Sequence, residues 1–306
     1  MTSSRTDLVT GAFSFTGRYI ARRLLDRGIA VRTLTGHLER PHAFGDRIVA
    51  HPYTFDDPAR LAASLEGIHT LYNTYWVRFD RGDRTYEGAV ENTRRLFAAA
   101  REAGVRRVVH VSIANPSETS PLAYYRGKAR LERDLADSGL SYAILRPTVI
   151  FGDGGILINN IAWLLRRLPV FAIPGAGDYG IQPVHVDDLA KLAVERAFRS
   201  EDLVTDAAGP ETYTYGDLVS TVREAIGSRS LVVHVPPGAS VALGRLLGWL
   251  LRDVLITGDE VAGLLGGLLV SAQEPTCETR LTDWLTRNRR EVGRRYLSEM
   301  AMHYFS

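Results

Sequence analysis

Short apolar segments alternate with longer amphipathic segments through the first half of this 306-residue chain. Such alternation is typical of parallel strands joined by helices, which cover both faces of an open sheet. The predicted strands are Asp7–Thr10, Ala30–Leu34, Ile48–His51, Thr70–Asn73, Val108–Ser112 and Tyr142–Arg146. The predicted helices lie near Gly17–Arg27, Pro58–Leu65, Tyr86–Ala103 and Pro121–Ser138. The sequence therefore predicts an α/β fold built on a doubly wound parallel sheet.

The pattern becomes looser after Pro147, where two glycine-rich loops follow at residues 152–155 and 174–177. A strand at Gln182–Val186 and a helix at Asp187–Phe198 are predicted to return to the sheet, and the chain from about Glu201 is predicted to be mostly helical. We therefore expect a Rossmann-type domain at 1–152, completed by 181–198. Residues 153–180 and 199–306 are expected to form a smaller, mostly helical substrate cap.

A strand, a glycine turn and a helix start follow one another over Leu8–Gly17. Backbone amides at a helix N-terminus carry partial positive charge, so such a turn can receive a pyrophosphate. The first glycine permits the tight turn, and the last permits close packing of helix on sheet. The sequence therefore predicts a dinucleotide-binding loop, formed by Gly11, Phe13, Ser14, Phe15, Thr16 and Gly17.

The second strand ends at a position where an acidic residue would read a ribose 2′-hydroxyl, but neither Asp nor Glu is present there. Arg18, Arg32 and Arg40 are the nearby charges and could meet a 2′-phosphate instead. NADP(H) is therefore favoured over NAD(H), with ordinary surface charge as the alternative explanation of the arginines. Further cofactor contacts are expected from Thr35, His37, Arg40, Phe55 and Asn73.

Lysine is rare in this chain, where only two of the 37 Lys and Arg residues are lysine. Lys128 stands four residues after Tyr124, so the two share a helix face, and the ammonium can favour the phenolate. Ser112 ends the preceding strand, at the sheet edge where ligands bind. We expect Ser112 to hold a carbonyl oxygen, Tyr124 to exchange a proton with it and Lys128 to lower the tyrosine pKa. His110 is expected to face the opposite side, as a core or surface histidine.

Ser112, Tyr124 and Lys128 in this order resemble the catalytic set of the short-chain dehydrogenase/reductase superfamily. The loop at Thr10–Gly17 resembles the Thr-Gly-x-x-Gly-x-x-Gly loop of its extended and atypical members, with Ser14 in place of the middle glycine. The likeness is closest to the atypical branch, which includes NmrA-like proteins and relatives of the NAD(P)-binding accessory subunit of respiratory complex I. Many members of that branch bind nucleotide without turning over a substrate.

The resemblance extends to Leu145–Gly152, which looks like the exit of the sixth strand in extended members. There a Pro-Thr turn passes the nicotinamide, which implies cofactor contacts from Pro147, Thr148 and Val149. The substrate is expected above the nicotinamide. Its candidate walls are Tyr75, Trp76 and Asn159, a lining that suits a partly apolar small molecule.

Composition excludes several kinds of partner and site. A net charge of +2 gives no reason to expect nucleic acid. The single cysteine, Cys277, excludes an internal disulfide and a cysteine-built metal site, and no metal is expected. The N-terminal residues lack the features of a signal peptide, which favours a cytoplasmic protein. The apolar segment Val241–Leu255 is too short to span a membrane and suits core packing or a homodimer contact.

Three functions agree with these features. The first is an NAD(P)H-dependent oxidoreductase that moves hydride to or from a carbonyl or alcohol carbon with the Ser-Tyr-Lys set. The second is a non-catalytic NAD(P)-binding protein, either a redox sensor or a subunit of a complex. The third is a sugar-nucleotide epimerase or dehydratase, which the motifs of extended type suggest.

Overall fold

The computed structural model describes residues 5–236, 238–239, 242, 244, 248–249, 251–253 and 258–303. The chain divides into two compact units. The first contains the described residues up to Pro147 together with Leu189–Thr205, and the second contains Thr148–Asp188 and the described residues from Asp206 onward. That the second unit serves as a substrate cap remains a prediction.

A seven-stranded sheet forms the centre of the first unit, with the strand order β11-β6-β5-β4-β1-β2-β3. All pairings from β3 through β6 are parallel. The six predicted strands are confirmed, each within one residue of its predicted ends. The strands are β1 (Thr6–Thr10), β2 (Ala30–Thr35), β3 (Ile48–Pro52), β4 (Thr70–Asn73), β5 (Arg107–Val111), β6 (Ser141–Pro147) and β11 (Leu203–Ala207).

The seventh strand corrects two expectations. Leu203–Ala207 lies in the stretch predicted to be mostly helical, and it pairs with β6. The strand predicted to return to the sheet, observed at Pro183–His185, instead pairs in parallel with Val149–Phe151 in the second unit. Leu203–Ala207 mixes apolar and polar residues because it is an edge strand, and Val204 is 41% exposed. A local pattern indicates that a strand forms but does not specify its partner.

Helices pack on the sheet because each has one apolar face. Leu61, Leu96 and Leu131, from three of these helices, are fully buried against strand residues such as Leu71 and Val108. The helices, with one that continues from the second unit, are α1 (Phe15–Asp26), α2 (Pro58–Ser64), α3 (Tyr86–Glu102), α4 (Ala123–Ala136) and α6 (Val186–Arg196), and a 3₁₀ turn lies at Gly45–Arg47.

The second unit has its own core, in which Ile161, Phe171 and Leu218 are buried. Its strands are β7 (Val149–Phe151), β8 (Val170–Pro174), β9 (Gly180–Ile181), β10 (Pro183–His185), β12 (Tyr213–Thr214) and β13 (Leu231–Val235). Its further helices are α5 (Ile156–Arg167), α7 (Tyr215–Ala225), α8 (Gly258–Leu265), α9 (Leu281–Asn288) and α10 (Glu299–His303). This region is therefore less purely helical than predicted.

Most of the apolar segment Val241–Leu255 lies outside the described residues, so its predicted packing is left as a prediction. Among the helices that the structure describes, none combines the length and the hydropathy that a membrane span requires.

Candidate functional site

The glycine loop between β1 and α1 depends on both predicted glycines. Gly11 has a φ of +66°, a left-handed conformation that favours glycine, and its amide donates to the Leu34 carbonyl at 2.7 Å. A Cβ on Gly17 would lie 2.1 Å from the Gly11 carbonyl oxygen, which is far inside contact distance. Neither position accepts a side chain without movement of the backbone.

Ser14 adopts a conformation that does not require glycine. Its φ of −84° and ψ of 174° are extended, and its hydroxyl donates to the Gly11 carbonyl at 2.7 Å. The first helical bond of α1 runs from the Arg18 amide to the Ser14 carbonyl, so the amides of Phe15, Thr16 and Gly17 precede the helical ladder. These residues fit the pyrophosphate of a dinucleotide.

The segment after β2 packs on this loop through aromatic rings. Phe13 stacks on His42 with ring centroids 3.8 Å apart and an interplanar angle of 6°. This contact joins two loops that are separated in sequence, so no local pattern predicts it. Thr35 accepts a bond from the His37 amide at 3.1 Å, which shapes the turn where the ribose is expected.

Two of the candidate arginines differ in position. The Arg32 guanidinium donates to the Glu66 carbonyl at 2.9 Å, which supports the surface-charge explanation for this residue. Arg40 is partly buried in the segment after β2, and this burial lowers its pKa. A 2′-phosphate contact from Arg40 remains a prediction.

Aromatic side chains line the ends of β3 and β4. Phe55 stacks on Tyr53 at 4.8 Å and contacts Tyr75 at 5.0 Å between ring centroids. The Tyr75 hydroxyl accepts a bond from the Asn92 amide at 3.0 Å. Phe55 and Tyr75 thus belong to one cluster, although sequence reasoning gave the first to the cofactor and the second to the substrate.

A buried polar row crosses the carboxyl ends of β1, β4 and β5. The Thr10 hydroxyl donates to Asn73 Oδ1 at 3.2 Å, and Asn73 Nδ2 lies 3.0 Å from His110 Nδ1. Asn73 and His110 are cross-strand partners, and both are fully buried. His110 is a core histidine, as predicted, but its expected orientation was wrong. Residues two apart in a strand share a face, so its side chain lies on the same side as that of Ser112.

Lys128 is buried, with 3% of its surface exposed. Its Nζ donates to the Val111 carbonyl at 2.9 Å and lies 4.4 Å from the centroid of the Trp76 ring. Burial lowers the pKa of Lys128 to about 7, and the Glu132 carboxylate opposes this shift. Glu132 is itself held by Arg146, with 2.5 Å between Oε2 and Nη2. The spacing of Lys128 and Glu132, at i and i+4, could have identified this carboxylate from sequence.

Trp76 connects the lysine with the tyrosine. Its ring lies edge-on to Tyr124, with 5.6 Å between centroids, and stacks on Tyr86 at 6.0 Å. A Cβ on Gly127 would lie 2.9 Å from Trp76 Cη2, so this helical glycine leaves room for the indole. Tyr86 was missed because its contribution depends on the fold of the loop before α3.

Ser112 follows Val111 directly and is 4% exposed. Its amide donates to the Leu145 carbonyl at 2.7 Å, which extends the sheet ladder beyond β5. Lys128 thus binds the carbonyl that precedes Ser112, and Lys128 and Tyr124 both contact the Trp76 ring. Their chemical roles remain predictions.

The remaining candidates are bonded within their own units. The Pro147 carbonyl accepts from the Ala114 amide at 2.9 Å, and the Thr148 amide donates to the Ala207 carbonyl at 3.1 Å. Val149 donates to the Gln182 carbonyl at 3.1 Å. The Asn159 amide binds the Arg295 carbonyl and the Gly293 amide at 2.9 and 3.0 Å, so it ties α5 to the segment after α9. Their contacts with cofactor or substrate stay predictions.

Sequence comparison finds relatives that cover most of the chain. A family described as NAD(P)H-binding matches residues 11–157. Sterol demethylase protein B of Methylococcus capsulatus is 30% identical over 260 residues, which are 76% of this chain and 78% of that protein. The mitochondrial NADH-ubiquinone oxidoreductase 40 kDa subunit of Neurospora crassa is 24% identical over 270 residues, 84% of this chain and 69% of that protein. The chain spans 60% of a third relative, alpha subcomplex subunit 9 of the mitochondrial NADH dehydrogenase of Arabidopsis thaliana, at 24% identity over 74% of this chain.

Solved structures of the same fold include two kinds of enzyme. The NADPH-dependent quinone oxidoreductase QOR2 of Escherichia coli, solved with NADPH, has a TM-score of 0.71 at 22% identity and covers 92% of this chain and 98% of its own. A UDP-N-acetylglucosamine 4-epimerase of Methanobrevibacter ruminantium, solved with UDP-N-acetylmuramic acid, has a TM-score of 0.70 at 17% identity, with 95% and 98% covered. At these identities the likeness supports the fold alone.

Proposed function

The chain belongs to the atypical, NmrA-like branch of the short-chain dehydrogenases/reductases, which are NAD(P)H-binding proteins, and from this premise we propose that it is an NAD(P)H-dependent oxidoreductase. The proposed reaction is hydride transfer to or from the carbonyl or alcohol carbon of a small, partly apolar molecule. The observation that carries it is the buried Lys128, whose Nζ bonds to the carbonyl of Val111, the residue before Ser112, and lies over the Trp76 ring, which also contacts Tyr124.

Each side chain has one task in the proposed reaction. A bound nicotinamide supplies or accepts the hydride. Ser112 donates a hydrogen bond to the carbonyl oxygen, and Tyr124 gives its phenolic proton to that oxygen as negative charge develops there. Lys128 is close to half protonated near neutral pH, because burial lowers its pKa to about 7. Its ammonium form stabilises the phenolate that proton transfer leaves on Tyr124.

Replacing Tyr124 tests this proposal. Tyr124→Phe should lower turnover of NADPH with a panel of benzaldehyde, cyclohexanone and menadione by about 10²- to 10⁴-fold, because the proton donor is lost. NADPH affinity, measured by fluorescence titration, should stay within about threefold, because a phenyl ring preserves the contacts with Trp76 and Tyr86. Tyr125→Phe is the matched control, since Tyr125 is buried beside Tyr124, with 5.8 Å between ring centroids. Equal turnover in Tyr124→Phe and wild type would refute the assignment.

A second function is favoured by the state of Lys128. Its ammonium bonds inward to a backbone carbonyl beneath Trp76, an arrangement that also suits a protein which binds NAD(P)H without turnover. The similarity to complex I subunits supports such a role as redox sensor or subunit. This alternative predicts saturable NADPH binding, no turnover of any carbonyl compound in the panel, and a protein partner in affinity purification.

The finer properties of the protein are proposals of the same kind. We propose NADP(H) as the preferred cofactor on the position of Arg40, and an apolar substrate on the aromatic residues Tyr75 and Trp76. The name of the Methylococcus relative supports a sterol-like molecule as one such substrate. A sugar-nucleotide epimerase is the third candidate, supported by the shared fold. Cytoplasmic location, homodimer formation and the absence of nucleic-acid and metal ligands remain predictions.

A further inference from the structure

His110 and Ser112 stand two residues apart at the end of β5, and each carries a buried polar side-chain atom. His110 is fully buried and Ser112 is 4% exposed. Within the part of the chain that the structure describes, neither His110 Nε2 nor Ser112 Oγ has a hydrogen-bond partner. A buried polar atom without a partner is rare and destabilising, so two at neighbouring same-face positions require an explanation.

The bonds around Asn73 determine which nitrogen of His110 carries the proton. The Tyr75 backbone amide can only donate, and it lies 3.1 Å from Asn73 Oδ1. The other end of the Asn73 side chain is therefore its NH₂ group, and Nδ2 donates to His110 Nδ1 at 3.0 Å. In a neutral imidazole the remaining nitrogen then carries the hydrogen. His110 thus has an Nε2–H donor.

Burial keeps His110 neutral, and the charge of Lys128 acts in the same direction. Burial, together with the Lys128 ammonium, holds the pKa of His110 well below its usual value of 6.5. Glu132 also lies on α4, but Arg146 binds its carboxylate. Phe97 of α3 contributes an apolar ring, 5.6 Å from the imidazole and edge-on to it. The histidine therefore stays neutral, with Nε2–H as its donor.

We propose that His110 is a positioning residue for Ser112, to which its Nε2–H donates a hydrogen bond when the site is ordered for reaction. The serine Oγ is then occupied as an acceptor, so its own hydrogen turns to the carbonyl oxygen of the substrate. The resulting chain runs from the Tyr75 amide through Asn73 and His110 to Ser112, with every donor oriented toward the substrate. Bonds in such a chain polarise one another, which strengthens the last donor. The proposal rests on the proposed function for its last bond only.

Nuclear magnetic resonance can test the hydrogen bond from His110 Nε2–H to Ser112 even if the protein turns over no substrate, because it detects the histidine proton directly. With NADPH bound, the His110 Nε2–H proton of wild type should be detectable and protected from exchange, with Nδ1 unprotonated. This signal should be lost or moved upfield in Ser112→Ala and retained in Ser112→Thr, which keeps the hydroxyl. Because the chain has eight histidines, His110→Gln identifies the signal by its disappearance. Should that variant fail to fold, the contact with Phe97 identifies it in wild type.

Two results would overturn the proposal: a proton on Nδ1, or a signal that responds alike to alanine and threonine at Ser112.

Where the carbonyl panel gives turnover, a double-mutant cycle adds a second test. His110→Leu should lower kcat about fivefold in the wild-type background and leave it unchanged in the Ser112→Ala background, with the KM for NADPH unaffected. His110→Gln should retain most of the rate, because an amide can both accept from Asn73 and donate to Ser112. Equal losses in both backgrounds would contradict the proposal. Absence of all turnover would refute the proposed function alone, because the resonance experiment is independent of it.

Discussion

The glycine loop and the carboxyl end of β5 use their polar groups in opposite ways. In the loop, the Ala12 amide donates to the Thr33 hydroxyl at 3.0 Å, and the Ser14 hydroxyl donates to the Gly11 carbonyl. At the end of β5 and in the segment after β4 beside it, three buried atoms lack partners among the described residues: His110 Nε2, Ser112 Oγ and Trp76 Nε1. The loop is stable through its own bonds. The end of β5 carries donors whose burial costs about 1–3 kcal/mol each until an acceptor binds.

The largest effect is expected where the loop has no room. Gly17→Ala should lower the free energy of unfolding by about 3 kcal/mol and abolish measurable NADPH binding, because the new Cβ would overlap the Gly11 carbonyl. Urea denaturation and fluorescence titration measure the two effects. Gly238→Ala is the matched control, since nothing lies within 4 Å of a Cβ at that position and no cofactor contact is predicted there. If Gly17→Ala bound NADPH normally, the loop would tolerate a side chain. The difference proposed between the loop and the end of β5 would then be wrong.

The next largest effect concerns Lys128 near the end of β5. Replacing this lysine should raise the stability of the fold while it abolishes turnover. Burial lowers the Lys128 pKa from 10.5 to about 7, so the unfolded chain binds more protons than the folded one between these values. Wild-type stability should therefore rise with pH from about 7 to 10.5. Lys128→Met should stabilise the fold by on the order of 3 kcal/mol at pH 6, with the gain disappearing toward pH 10.5.

Denaturation curves at several pH values measure this difference. The control is Lys191→Met, because Lys191 is the other lysine of the chain and is exposed on α6. A gain of equal size in both variants, or one independent of pH, would show that the buried ammonium does not destabilise the fold. Turnover should be lost in Lys128→Met and preserved in Lys191→Met.

The smallest effect concerns cofactor preference near the loop. Arg40→Gln should weaken NADPH binding about tenfold and leave NADH binding unchanged, because only NADPH carries the 2′-phosphate. Arg32→Gln should change neither affinity, since Arg32 bonds to the Glu66 carbonyl. Titration of each variant with both nucleotides measures the ratio. If both arginine variants lose the same affinity for both cofactors, general surface charge explains the effect.

Much of the fold was predictable because it depends on local pattern. The six strands and the four helices between them follow from apolar periodicity, and Gly11 and Gly17 follow from the needs of a turn and a close contact. The seventh strand was missed because Leu203–Ala207 lies at a sheet edge and has no continuous apolar run. The strand at Pro183–His185 was recognised but assigned to the wrong sheet, because pairing depends on distant residues.

The candidate site, like the fold, was predictable only in part. Ser112, Tyr124 and Lys128 were predicted from residue type and spacing, which are local properties of a strand end and a helix face. The contacts of Lys128 with Trp76 and the Val111 carbonyl could not be predicted, because they join segments 52 and 17 residues apart in sequence. The buried row of Thr10, Asn73 and His110 was also missed, since it exists only when β1, β4 and β5 lie side by side.

The order of residues was enough to predict the parallel sheet, the glycine turn before α1, the position of Ser112 just after a strand and that of Tyr124 and Lys128 on one helix, because strands, helices and turns respond to their nearest neighbours. Folding in three dimensions added the electrostatics of the site. Lys128 acquires its low pKa from burial, and His110 acquires its tautomer from Asn73, a residue 37 positions away. Burial and cross-strand bonding arise from packing between distant segments, which residue spacing does not encode.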